Sequence, residues 1–203
     1  MRKIISLLLA LCLVVGMVPV AASAAGATVT SVSALKDAVA QGGEIVLGQN
    51  LELTETLNVS KNVVIDLHGN TIQRSSDFSA SPMICVNEGG DLTVQDTVSN
   101  GKIISFTGIA IENHGTFTLR SGTIDANNSS NAYGIRNRVT SESFEEKQAV
   151  ICNIEGGTIS SDVWGVAFFG AGIAGQTDGN NSALNTGVTG SILNNMMQVN
   201  ISG

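Results

Sequence analysis

One short pattern returns along this chain at nearly constant spacing, and it constrains the fold more than any single residue. It reads Ile65-Asp66-Leu67-His68-Gly69-Asn70-Thr71-Ile72, then Phe117-Thr118-Leu119-Arg120-Ser121-Gly122-Thr123-Ile124, then Cys152-Asn153-Ile154-Glu155-Gly156-Gly157-Thr158-Ile159. A looser copy runs Leu92-Thr93-Val94-Gln95-Asp96 and rejoins, after a short insertion, at Gly101-Lys102-Ile103. Val199-Asn200-Ile201-Ser202-Gly203 matches the first half of a fifth copy. Apolar and polar residues alternate, as in a strand with one buried face. Gly or Asn then turns the chain and Thr-Ile opens another short strand. Copies starting at 65, 92, 117, 152 and 199 lie 27, 25, 35 and 47 residues apart. The two short spacings suit one coil of a β-solenoid, and the longer ones imply insertions within 126–148 and 160–197.

A second series supports stacked coils over a sandwich. Asn87, Asn113 and Asn137 follow Cys85, Ile111 and Ile135 by two positions, at spacings of 26 and 24. Two registers with one period predict an internal ladder of amides at a turn, each satisfying the next and the turn backbone. Upstream, Ser33 is placed to cap a helix over 33–41, with Leu35, Ala38 and Val39 on one face and Gly42-Gly43 as its stop. A solenoid needs its open end covered, and this helix is the expected cap.

The helix, then Gly42-Gly43-Glu44-Ile45-Val46-Leu47, then Asn62-Val63-Val64 running into the first copy, resembles the first coil of pectate-lyase-like β-helices. It is similar in particular to secreted and cell-surface β-helix proteins of Gram-positive bacteria. The resemblance covers about residues 30–203. It implies an all-β fold, a right-handed parallel β-helix (solenoid) with a short N-terminal capping helix. It is weak on activity, because this architecture carries lyases, hydrolases and plain adhesive stalks.

Aligning the copies assigns directions. Ile65, Leu92, Phe117, Cys152 and Val199 form one inward column, and Leu67, Val94, Leu119, Ile154 and Ile201 a second. Asp66, Thr93, Thr118, Asn153 and Asn200 then point outward, followed by a second outward column of His68, Gln95, Arg120, Glu155 and Ser202. The candidate ligand face is thus Asp66, His68, Thr93, Gln95, Thr118, Arg120, Asn153 and Glu155, polar groups about 4.8 Å apart that could track a polysaccharide. The plainer reading is an ordinary solvated face, with Arg120 and Glu155 a surface ion pair worth under about 1 kcal/mol.

Catalytic chemistry asks for more. Glycoside hydrolysis wants two carboxylates facing one cleft; Asp66, Asp96, Asp125 and Glu155 are available, without obviously facing positions. The resemblance implies calcium with basic residues for a pectate lyase, or an aspartate cluster with a histidine for a polygalacturonase. Neither set is recognisable. Asn113-His114-Gly115 resembles the latter's histidine segment without its aspartates. No catalytic residue, metal site or cofactor is therefore assigned, and His68 and His114 read as isolated histidines. Trp164, Phe168 and Phe169, beside Gly165 and Gly170, read as core or plug residues, although an exposed Trp would suit sugar stacking. Glu142, Glu145, Glu146 and Lys147 mark a solvated loop, and the Gly-rich run 170–180 matches no phosphate-binding pattern.

The start of the chain concerns export. Arg2 and Lys3, an apolar stretch over 4–20 and Ala22-Ser23-Ala24 form a signal-peptide pattern, with cleavage expected after Ala24. Residues 25–32 read as a short linker and 33–203 as the β-helix domain, expected to continue beyond Gly203 because the fifth copy stops halfway. No second apolar run would span a membrane once the signal is removed. Loss of Arg2 and Lys3 takes the formal charge from −7 to −9, a poor balance for binding nucleic acid, since phosphate contacts need Lys and Arg. Cys85 and Cys152 remain after Cys12 leaves with the signal. Both read as small buried hydrophobes, with a disulfide between them left open. The expected function is a secreted or cell-surface non-catalytic module for adhesion or for binding extracellular polysaccharide or a host glycan. A polysaccharide-active enzyme whose site is incomplete in this chain, and a structural spacer, are the alternatives.

Overall fold

The computed structural model describes residues 26–127, 132–140, 146, 148–169 and 197–202. The signal segment, the run 170–180, Glu142, Glu145, Lys147 and the side chains of Phe168, Phe169 and Val199 lie outside that description. After β1 (Ala27–Val29) and helix α1 (Val32–Gln41), short strands follow in threes. The first coil is β2 (Gly43–Leu47), β3 (Leu51–Leu53) and β4 (Leu57–Val59). The second is β5 (Asn62–Asp66), β6 (Thr71–Arg74) and β7 (Ile84–Val86), and the third β8 (Asp91–Gln95), β9 (Lys102–Ile104) and β10 (Ile109–Asn113). The fourth is β11 (Thr116–Leu119), β12 (Thr123–Ala126) and β13 (Tyr133–Arg138). The fifth is β14 (Val150–Ile154), β15 (Thr158–Ser161) and β16 (Trp164–Phe169), and β17 (Met197–Ile201) follows.

Corresponding strands of successive coils pair in parallel. Sheet A has the order β1-β2-β5-β8-β11-β14-β17, sheet B the order β3-β6-β9-β12-β15, and sheet C the order β4-β7-β10-β13-β16. The molecule is a parallel β-helix. Each strand is too short to hold itself together, and its inward aliphatic side chains are shielded only when the coils above and below arrive. Residues 27–29, within the stretch read as a linker, are already part of sheet A through Ala27–Ile45 and Val29–Leu47 pairing.

The helix lies over the first coils, burying Leu35 and Val39. Its cap is Ser31 and not Ser33: the Ser31 hydroxyl oxygen accepts from the Ala34 amide at 3.1 Å, and the helix begins at Val32. Gly42 ends it with φ 85°, a conformation costly for any residue with a Cβ.

Four copies of the pattern sit in sheet A in the expected register, and one is displaced. Leu92, Phe117, Cys152 and Val199 are paired in one column, and Val94, Leu119, Ile154 and Ile201 in the next. The partner of Leu92 is Val63, however, and that of Val94 is Ile65. Asp66 consequently stands beside Gln95, Val64 beside Thr93, and His68 outside both outward columns. The cause is corner length. Between Asp66 and Thr71 lie four residues, whereas between their counterparts Arg120 and Thr123 lie two. The longer corner absorbs Leu67, still fully buried, and His68, which sits at φ 48°. A displacement of two keeps the same side chains inward, because strand orientation alternates with period two.

The amide series is displaced at Asn87 for a similar reason. Asn113 pairs with Asn137 in sheet C, but its partner on β7 is Val86. The corner from Val86 to Asp91 is two residues longer than that from Asn113 to Thr116. Asn87 therefore sits in the corner, where its amide donates to the Ser60 hydroxyl at 2.8 Å. Cys85, one step from the assumed position, is only partly buried and stands beside Glu112, while Cys152 is fully buried in sheet A. Both are free thiols.

Candidate functional site

The polar groups expected to face a ligand from sheet A are largely spent on the scaffold. Asp66 Oδ1 accepts from the amides of His68 (2.9 Å) and Thr97 (3.0 Å), and Oδ2 accepts from the Thr97 hydroxyl at 2.6 Å. His68 Nδ1 lies 3.4 Å from Thr97 Oγ1. Thr93 and Thr118 are 8% and 6% exposed, closed in by their neighbours up and down the stack. Thr118 Oγ1 accepts from Asn153, whose own oxygen accepts from Asn200 at 2.7 Å. Gln95 is partly buried beside Asp66. Arg120 and Glu155 form the expected exposed ion pair, Nε to Oε2 at 3.3 Å.

Where the chain leaves sheet A for sheet B, a second carboxylate organises the long corner of the third coil. Asp96 Oδ1 accepts from the Gly69 amide and Oδ2 from the Gly101 amide, each at 2.7 Å. Burial alone would raise the pKa of Asp96; the backbone donors of Gly69, Gly101, Ser99 and Val98 outweigh it and hold the carboxyl below its ordinary value. Asp125 Oδ1 likewise accepts from Asn127, main chain (3.2 Å) and side chain (2.8 Å). These are the same carboxylates that the sequence offered for catalysis, and each is engaged by donors of its own fold. Among the described residues, no group of three or more His, Cys, Asp or Glu side chains is placed to hold a metal ion.

Sheet C presents a different outer face. Its strands place Ile109, Tyr133 and Trp164 in one register column, and Cys85, Glu112, Arg136 and Ala167 in another. Trp164 is 50% exposed, so its expected place in the core is corrected. Its ring lies parallel to that of Tyr133, centroids 6.2 Å apart and planes within 7°. A glycine permits this arrangement. A Cβ on Gly134, next to Tyr133, would stand 2.6 Å from both the Gly165 carbonyl oxygen and the Ile159 side chain, so only glycine lets the two strands approach and both aromatic rings stay outside.

Beside the rings lies a charged cluster that the sequence reading missed. Glu112 is 2% exposed, and its Oε2 accepts from Arg136 Nε at 3.0 Å and from Arg136 Nη2. His114 Nε2 lies 3.4 Å from Glu112 Oε1, and His114 Nδ1 is 3.0 Å from the Arg138 carbonyl oxygen. The Arg136 guanidinium carbon stands 5.8 Å from the Tyr133 ring centroid, within cation–π range. Cys85 borders the cluster with its thiol pushed up to about 11, by burial first and by the Glu112 charge second. The signal for the pair was present: Ile111-Glu112-Asn113 and Ile135-Arg136-Asn137 put opposite charges at the same position of consecutive copies.

Behind this face the amide ladder spans the third to fifth coils. Asn113 Nδ2 donates to Asn137 Oδ1 and to the Ile151 carbonyl, both at 2.8 Å, while Asn113 Oδ1 accepts from the Gly115 amide. Asn137 Nδ2 passes the donation on to the Ala167 carbonyl at 3.3 Å. Both asparagines are fully buried, which ties the corner between sheets C and A to the coil that follows.

No family model matches this chain, and neither do the curated proteins or the solved structures with which it was compared.

Proposed function

We propose that this chain is a secreted, non-catalytic β-helix module that binds polysaccharide through the outer face of sheet C. The observation that carries the reading is the half-exposed Trp164 lying parallel to Tyr133. Large aromatic surface left in water costs about 25 cal/mol per Å² of apolar area, and a flat exposed ring matches the C–H face of a pyranose. Three parallel sheets with an internal amide ladder support a pectate-lyase-like relationship in architecture. The engagement of Asp66, Asp96, Asp125 and Glu155 by scaffold donors supports a binding role over hydrolysis. Export and a place at the cell surface rest on the signal pattern of residues 1–24. No helix among the described residues is long and apolar enough to cross a membrane.

The test is depletion of the protein from solution by a panel of insoluble polysaccharides, charged and uncharged, with released reducing ends measured in parallel. Depletion without release is expected. Release of reducing ends or of unsaturated products would replace the reading with an enzyme, and no depletion by any member would leave a structural spacer.

A further inference from the structure

One buried cation lies outside both faces described above. Arg74 closes β6 at an inward position: its register partner on β3 is the buried Leu53, and the buried Ser105 follows at the corresponding place one coil on. Only 4% of Arg74 is exposed. A guanidinium does not lose its proton in a protein, so burial leaves a full charge inside the solenoid.

The partners of that charge all come from the loop that follows, residues 75–82. Nη2 donates to the Phe78 carbonyl at 3.0 Å and to the Ala80 carbonyl, and the guanidinium carbon stands 4.2 Å from the Phe78 ring centroid. Carbonyls and a ring face offer partial charge only. Nε and Nη1 are buried without a partner among the described residues, and none of the ion pairs among those residues includes Arg74. Asp77, in the same loop, is exposed, and Asp125 is engaged by Asn127. The next corner of the stack, residues 127–132, contains no Asp or Glu. A buried charge without a counter-charge is costly.

A place for a counter-charge lies beside Nη1. Gly108, in the same corner of the third coil, has φ 73° and no side chain. The point that a Cβ would take there is 2.9 Å from Ser81 Oγ and 3.8 Å from Arg74 Nη1. Ser81 Oγ accepts from the Ile109 amide at 3.4 Å, which leaves the hydroxyl proton to give. Ser81 is exposed and Gly108 half-buried, so only the lip of the corner separates Nη1 from solvent.

We propose that the corner between sheets B and C binds one small monovalent anion, of chloride size, held by Arg74 Nη1 and the Ser81 hydroxyl. The anion neutralises the buried guanidinium and ties the 75–82 loop to the corner at Gly108. Contacts this close leave no room for a sugar acid or a phosphate ester. The site uses none of the residues of the aromatic face and stands whether or not the chain binds glycan.

The experiment is chloride NMR line broadening with the full chain at constant ionic strength, with bromide and gluconate as competitors. Excess line width is expected that bromide removes and that gluconate, too large to enter, does not. Ser81→Ala, at an exposed position that should leave the circular dichroism spectrum unchanged, is expected to weaken chloride binding about tenfold, as for loss of a hydrogen bond to a charged group. Chloride in place of gluconate should also raise the urea midpoint of the wild type, and raise it less in the variant. Absence of excess line width, or width that gluconate removes as readily as bromide, would overturn the site. Chloride binding that Ser81→Ala does not alter would place the anion elsewhere and overturn it equally.

Discussion

The outer faces of sheets A and C are built by the same coils and have opposite characters. On sheet A the side chains between the inward columns are small or polar, and they bond to one another or to corners: Asn200 to Asn153, Asn153 to Thr118, Asp66 to Thr97. On sheet C the corresponding layer holds a half-exposed indole, a tyrosine and a buried ion pair. A row of polar groups along a solenoid is thus a poor sign of a ligand surface, because polar groups in register find each other. The indole of Trp164, although it stacks on the partly buried Tyr133, still keeps half of its surface in water.

The largest expected effect tests the wall behind sheet A. Leu119, fully buried between Val94 and Ile154, should tolerate no charge. Leu119→Asp is expected to cost more than about 4 kcal/mol and to leave the protein unfolded by circular dichroism and proteolysis. A folded variant would refute the register of the whole sheet.

Next comes the corner between the two faces. Asn113→Ala removes a side chain that serves the Gly115 amide, Asn137 and the Ile151 carbonyl. Leaving these groups unpaired in the interior should cost about 3 kcal/mol, read as a lowered urea midpoint. Asp96→Asn acts on the opposite edge of sheet A and should cost about 2 kcal/mol at neutral pH. Its sign with pH is distinctive. The carboxyl is held below its ordinary value in the fold, so its contribution is full above the unfolded value of about 3.9 and is lost as pH falls through the lower folded value. Between pH 5 and pH 2 the variant should therefore lose less stability than the wild type, and parallel losses would remove Asp96 as the cause.

The smallest effect sharpens the contrast most directly. Arg120→Ala breaks the exposed pair with Glu155 and should change stability by under about 0.5 kcal/mol, with depletion by insoluble polysaccharide unchanged. Loss of depletion in this variant would move the binding surface back to sheet A.

The repeat made the strands of sheet A legible down to their inward columns in the copies at Leu92, Phe117 and Cys152, because period-two alternation is fixed by burial; the last copy keeps the register, with Ile201 78% exposed. The long corner of the third coil was legible as the insertion between Asp96 and Gly101, but the lengths of the corners after Asp66 and Val86 were not. His68 adopts positive φ without being glycine, with its amide held by Asp66, and nothing in its identity announces the two extra residues of that corner. The exposure of Trp164 was hidden for a related reason. An aromatic flanked by glycine reads as core as readily as surface, and only the 50% exposure of Trp164 decides between them. Glu112 and Arg136 were within reach, since aligning the asparagine series also aligns the residues just before it.

The amide ladder also has a direction along the chain. Asn113 gives its N–H groups to residues 137 and 151, and Asn137 gives to residue 167, so every donation points toward chain made later. In any order of closure that starts from the helix-capped end, a coil that has closed on its predecessor still holds unanswered donors until the following coil lands on it.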